Sequence, residues 1–234
     1  YVDSGSTDGS VELAKSLGVD VVELDPAMPF TAARGRNAGF NYLKEKGVTF
    51  PYVQFVDGDD EIDGQWLAGG VKTLAENPDV GIVAGRKKEC FPDNSVYNRL
   101  FEMEWDTEIG EVTEVSGTCM VRAKVFEQVG GFNETLIAGE DPELCLRVRQ
   151  DGWKVIRLAD FMGWHDANMM HFGEWWRRTV RTGHAYAEGV GTDEWTVAKG
   201  ALGKAGSRWL PVRFPALYAG DVFRTLAQDA GIVL

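Results

Sequence analysis

The chain has 234 residues, with 36 Asp and Glu against 24 Lys and Arg, a formal net charge of −12 and 44% hydrophobic residues. That is the composition of an ordinary folded domain, and its acidity makes a nucleic-acid partner a poor expectation. The 28 glycines have no period, no apolar run approaches the roughly 18 residues of a membrane span, and Cys90, Cys119 and Cys145 lack the spacing of a disulfide framework or zinc cluster. With no charged-then-apolar leader in view, a cytoplasmic protein with buried free thiols is expected. The acidity is local: residues 1–170 hold 30 acidic and 16 basic side chains, residues 171–234 only 6 and 8.

Strand-like and helix-like segments alternate through the first 160 residues, as in a mainly parallel α/β domain. Asp8 is expected to cap a helix that stops at Gly18, followed by a strand over residues 20–24. Thr31 suits the cap of the next helix, which ends at Gly47. Residues 52–56 read as a short strand that stops at Asp57-Gly58-Asp59-Asp60. Further strands are expected over 80–84 and 112–121, a short helix over 124–129, a helix opened by Asp141-Pro142, and a last strand over 153–158. Beyond it, Phe172, Trp176 and Val180 share a face of an amphipathic helix that also carries Arg177, Arg181 and His184. Such a helix can dock on its own domain, a partner or an anionic membrane, and the first is the commonest. Residues from about 190 onward show no clear pattern.

Four segments could carry chemistry. Three carboxylates in four residues repel one another unless positive charge sits among them, and Asp57-Gly58-Asp59-Asp60 at a strand end therefore suits Mg²⁺ or Mn²⁺, although Asp-Gly is also a common turn. In Gly139-Glu140-Asp141-Pro142, Asp141 is a good helix cap, and that position also suits a general base kept ionised by the helix N-terminus. Arg34 and Arg36 lie at the start of a helix, where the macrodipole disfavours cations unless an anion lies opposite. His165, in Trp164-His165-Asp166, is by itself more often structural than a ligand.

Taken in order, these segments resemble the family-2 glycosyltransferases, nucleotide-sugar enzymes of the GT-A fold. The resemblance rests on Val2-Asp3-Ser4-Gly5-Ser6-Thr7-Asp8-Gly9, Ala33-Arg34-Gly35-Arg36-Asn37-Ala38-Gly39, Phe55-Val56-Asp57-Gly58-Asp59-Asp60, Val115-Ser116-Gly117-Thr118 with Gly130-Gly131-Phe132-Asn133-Glu134, and Gly139-Glu140-Asp141. It implies a Rossmann-like, mainly parallel sheet flanked by helices over residues 1–170, with a helical C-terminal extension over 171–234. The family's first βα unit has no counterpart before Tyr1 and is expected to be missing. Ser4 stands where the family has a second Asp, and Asn133 where it has Asp before Glu134.

The resemblance also implies site roles. Asp3, Ser4, Arg36, Asp57 and Gly58 would surround the nucleotide; Asp59, with Asp60 and His165, would hold Mn²⁺ or Mg²⁺; Asp141 would be the base; and Gly117, Thr118 and Glu140 would lie near the sugars. The implied partners are a UDP- or GDP-linked sugar donor and a glycan or lipid-linked acceptor, with peripheral contact at the inner face of the membrane through residues 172–188. A nucleotidyltransferase and a catalytically degenerate binding module are the alternatives.

Overall fold

The computed structural model describes residues 1–189, and the expectations for residues from 190 onward lie outside them. The chain divides between Met170 and His171 into two units. In the first, β1 (Val2–Asp3) pairs in parallel with β2 (Val22–Glu23) around α1 (Ser10–Ser16), and α2 (Ala32–Glu45) follows. Thr31 caps α2 as expected, its hydroxyl accepting from the Arg34 amide. The N-cap of α1 is Gly9 rather than Asp8, whose carboxylate instead accepts the Ser10 amide one position further in.

The larger sheet has the order β3 (Tyr52–Gln54), β7 (Met120–Arg122), β5 (Val80–Glu89), β8 (Lys154–His165), β4 (Asp60–Ile62), with β6 (Gly110–Glu111) also paired to β8. The α/β class holds, but this sheet is mixed, which corrects the expected mainly parallel arrangement: β5 and β8 pair in parallel, while β3–β7, β5–β7, β4–β8 and β6–β8 are antiparallel. The physical reason lies in the short strands. β3, β5 and β8 run in one direction, as helix crossovers require, and β7 is inserted between β3 and β5 in the opposite sense. The expected strand over residues 112–121 is broken for the same reason: only its two ends pair, and the segment between them turns away to deliver Gly117 and Thr118 elsewhere. Strands β5 and β8 run several residues beyond the expected 80–84 and 153–158, and their extensions carry Lys87, Glu89 and His165.

Helices α3 (Trp66–Glu76), α4 (Val96–Glu104), α5 (Ala123–Gln128) and α6 (Glu140–Gln150) complete this unit. Its core joins Leu74, Ile82, Val121, Val125, Leu144, Val148 and Val155 to a ring cluster of Phe40, Phe55, Phe126 and Phe132, with centroid separations from 4.6 to 5.4 Å. Trp66 is buried and donates its indole N–H to Gln54. Cys119 and Cys145 are buried free thiols and Cys90 is partly exposed. In the second unit, α7 (Phe172–Gly189) places the Phe172 and Trp176 rings 5.8 Å apart. Among the described residues no helix is long and apolar enough to cross a membrane.

The site depends on how closely β4 approaches β8. A Cβ on Gly163 would lie 2.1 Å from the Glu61 carbonyl oxygen, so only glycine allows this contact. Gly163→Ala should therefore force β4 outward and destabilise the protein by about 1–3 kcal/mol, measured by urea denaturation; an unchanged midpoint would show that β4 yields at no cost.

Candidate active site

The C-terminal ends of β3, β5 and β8 and the start of α6 meet around the loop 57–60. The repulsion among its three carboxylates is answered by three side chains of the protein itself. Asp57 accepts two hydrogen bonds from Arg36, at 2.6 and 3.2 Å. Asp60 forms an almost fully buried ion pair with Lys87 at 2.9 Å, and Lys87 also sits 4.1 Å from the Trp105 ring centroid. Asp59 faces His165, 3.5 Å from its Nε2. Of the three, Asp59 is the most exposed, its side chain 57% accessible.

Sheet register makes these meetings. His165 lies opposite Asp60 of β4 on one side and Glu89 of β5 on the other. Ligand atoms of Asp59, Asp60 and His165 lie within 4.8 Å of one another, close enough to share one metal ion. Burial lowers the His165 pKa, but hydrogen bonds to Asp59 and Glu89 outweigh it, so the pKa is raised overall. Asp59 shifts the other way, held below the ordinary carboxylate range first by its hydrogen bond with His165.

Arg36 ties the second half of the site together. Besides Asp57, it donates to Glu140 at 2.8 Å and to Asp141 at 2.9 Å, and its guanidinium lies 5.1 Å from the Phe132 ring centroid. Three carboxylates from two distant segments thus converge on one buried cation. This answers the macrodipole cost of a cation at the start of α2, with the Arg36 donors turned onto carboxylates of the protein itself. Arg34 behaves differently, donating to the carbonyls of Asp25, Met28 and Pro29.

The α6 cap is Gly139, so Asp141 is not the N-cap but the second residue of the helix. Its carboxylate accepts from Arg36 and, at 2.8 Å, from the Gly117 amide. The expectation of a fully ionised Asp141 is also corrected. Loss of solvent pushes its pKa up to about 7, and Glu140 and Asp57 add to this against the opposing pull of Arg36 and the Gly117 amide.

Gly117, Thr118 and Glu140, the residues expected near the sugars, are all buried and engaged with other parts of the protein. A Cβ on Gly117 would fall 2.0 Å from an Arg36 nitrogen. Thr118 accepts from the Asp57 amide and donates to the Asp60 carboxylate, so it fixes the shape of the loop. Asp3 is likewise spent locally: its carboxylate accepts the Gly5 and Ser6 amides, and these bonds, the Ser6 side chain's first, lower its pKa. Ser4 and Arg34 border a cavity of about 280 Å³ together with Leu24, Asp25, Met28 and Phe30. Gly58 is exposed at the tip of the loop. Asn37 reaches across to bond the backbone of Phe132 and the Glu134 carboxylate, while Asn133 accepts from Thr135 in a local turn.

Sequence reasoning missed Lys87 and Glu89. Their signal was the alternation in Arg86-Lys87-Lys88-Glu89 at a strand end, where every second charge points inward.

Removing Arg36 leaves one nearly buried acid, Glu140, and two partly exposed ones, Asp141 and Asp57, without their cation. Arg36→Met should cost about 3–5 kcal/mol at pH 8. The stranded carboxylates would have raised pKa values in the folded state, so this cost should shrink towards pH 5 as they take up protons. Urea denaturation at the two pH values measures the difference, and a pH-independent cost would contradict the charge argument.

Comparison with known proteins accords with this arrangement. Residues 1–130 match the sequence model of glycosyl transferase family 2. The glycosyltransferase AglE of Haloferax volcanii is 31% identical over 193 residues, covering 78% of this chain and 60% of AglE, so the chain spans about three fifths of that relative. The mannosyltransferase PcManGT from Pyrobaculum calidifontis, solved with GDP-Man and Mn²⁺, superposes with a TM-score of 0.59 over 99% of this chain and 66% of its own, at 18% identity. S. aureus TarS with UDP gives 0.56 over 83% of this chain and 56% of its own, also at 18% identity. The fold is therefore that of GT-A glycosyltransferases, and the chain belongs to glycosyl transferase family 2.

Proposed function

We propose that the chain is a metal-dependent, inverting glycosyltransferase that moves a sugar from a UDP- or GDP-linked donor to a hydroxyl of a glycan or lipid-linked acceptor. The observation that carries this reading is the convergence of two different chemistries on one loop. His165 reaches Asp59 directly, and Asp141 reaches Asp57 through Arg36. PcManGT, which shares the fold, carries GDP-Man and Mn²⁺, and TarS carries UDP, which supports a nucleotide-linked donor.

The donor set fits a divalent cation. Asp59, Asp60 and His165 would hold it, and an imidazole beside two carboxylates argues for Mn²⁺ over Mg²⁺. When bound, the ion supplies positive charge against the leaving diphosphate. The other parts belong to the chain. The cavity beside Ser4 suits the nucleobase, with Asp3 bracing the turn beneath it, and Asp57 and Gly58 lead from there to the phosphates. As the acceptor oxygen bonds to the anomeric carbon, the bond from that carbon to the diphosphate breaks and the nucleoside diphosphate departs. The acceptor proton passes to Asp141, which Arg36 and the Gly117 amide hold in place. A carboxyl with a pKa near neutrality is better matched to that task than a fully ionised one.

Calorimetric titration of UDP and GDP, with and without Mn²⁺, should show binding strengthened by the metal; no metal-dependent binding of either would sink the proposal. Release of inorganic diphosphate in place of the nucleoside diphosphate would favour a nucleotidyltransferase. Asp141→Asn should retain donor binding and lower transfer by about 10²- to 10⁴-fold. Because the Asp141 pKa is raised to about 7, the competent, ionised form is lost as pH falls. In wild type, kcat/KM should therefore rise with pH up to about 7 and then level off, and a profile flat from pH 5 to 8 would reject Asp141 as the base.

A further inference from the structure

His165 is held more completely than a cross-strand neighbour requires, and the residue that holds it is Glu89. The Glu89 side chain is fully buried, 0% accessible. One of its oxygens lies 3.1 Å from His165 Nδ1, and its carboxylate also accepts the amide of Ala167, two residues beyond His165, at 3.1 and 3.2 Å. Its own amide donates to Glu102 on α4. The imidazole is stacked on Phe101, with centroids 5.0 Å apart and planes 9° from parallel, and meets Trp105 on another side at 5.1 Å. The ring therefore cannot turn, and the nitrogen left facing Asp59 is Nε2.

A buried carboxylate accepts hydrogen bonds and donates none when ionised. It keeps a proton on Nδ1, so that when a cation takes the place of the Nε2 proton facing Asp59, the Nε2 lone pair is already directed at that side of the loop. We propose that Glu89 is a positioning residue for the metal centre: it fixes the tautomer and orientation of His165 so that Nε2 is presented as a ligand alongside Asp59 and Asp60. This rests on the metal-dependent reading given above. Carboxylate partners of ligating histidines commonly contribute 10- to 100-fold in metal affinity.

The test is Mn²⁺ binding to the full chain, followed by calorimetry without nucleotide or acceptor, together with the ¹⁵N spectrum of the histidine ring nitrogens. The chain has only three histidines, so comparison with His165→Ala assigns the signals. Glu89→Gln preserves shape and removes the charge; it should weaken Mn²⁺ about 10- to 100-fold and mix the His165 tautomers, with the circular dichroism spectrum unchanged. Wild-type affinity in Glu89→Gln would overturn the inference while leaving the metal reading intact. A wild type that binds no Mn²⁺ would overturn both. Should Glu89→Gln fail to fold, the wild-type spectrum with Mg²⁺ added decides: a proton retained on Nδ1 with Nε2 deprotonated and shifted supports the assignment, and Nδ1 deprotonated with the proton left on Nε2 overturns it.

Discussion

One guanidinium carries the architecture of this site. Arg36 is nearly buried and holds Asp57, Glu140 and Asp141, residues more than 80 positions apart across the loop and α6. A single positive charge cannot balance three negative ones in a place with little solvent. The excess is relieved at Asp141, where loss of solvent and the neighbouring Glu140 and Asp57 outweigh Arg36, so it holds its proton to higher pH than a free carboxyl does. The close approach that allows this depends on Gly117, because any side chain there would occupy the space of the guanidinium. Backbone, cation and carboxyl are thus one unit, and none could be altered without disturbing the others.

The second cation works by a different geometry. Lys87 does not reach out from a helix; it arrives at Asp60 because β5 and β8 extend together past the sheet and β4 returns antiparallel along β8. The same register sets Glu89 and Asp60 on either side of His165. Thr118, delivered by the segment that fails to continue as a strand, bonds both ends of the loop at once. The mixed character of the sheet is therefore part of how the site is assembled. A purely parallel sheet would supply the strand ends but not the returning β4 or the inserted β7.

Much of this was legible in the sequence because it was local. The Thr31 cap, the helix closed by Gly47, the abrupt stop of β3 and the clustered carboxylates all follow from neighbouring residues, and the prediction that positive charge must lie among Asp57, Asp59 and Asp60 needed only electrostatics. Which charges would answer was not local. Arg36 stood out as a cation in the wrong part of a helix, and the structure shows the anions opposite it, yet nothing in its surroundings in the chain pointed to Glu140. Lys87 and Glu89 went unnoticed because β5 was expected to end at residue 84, while the strand runs on to Glu89. Asp141 was misjudged because the helix N-terminus was visible in the sequence and the desolvation was not. Gly117 and Thr118 sat in a segment that resembles a sugar-facing one, and their burial depends on the packing of α2 and α6 around them.

Once the internal pairs are formed, two negative groups remain that the protein does not fully compensate, and they differ in kind. Asp59 is exposed, is held below the ordinary carboxylate range first by its hydrogen bond with His165, and among the described residues pairs with no lysine or arginine. Asp141 is withdrawn from solvent and is driven towards neutrality at ordinary pH. Two carboxyls whose surroundings push their pKa values apart are suited to different tasks: the first to attracting a cation, the second to exchanging a proton. The fold separates them by spending Lys87 on Asp60 and sharing Arg36 among Asp57, Glu140 and Asp141, so part of the acidity of the first 170 residues, which at the level of composition only disfavours nucleic acid, is arranged as one place suited to positive charge and one suited to a proton.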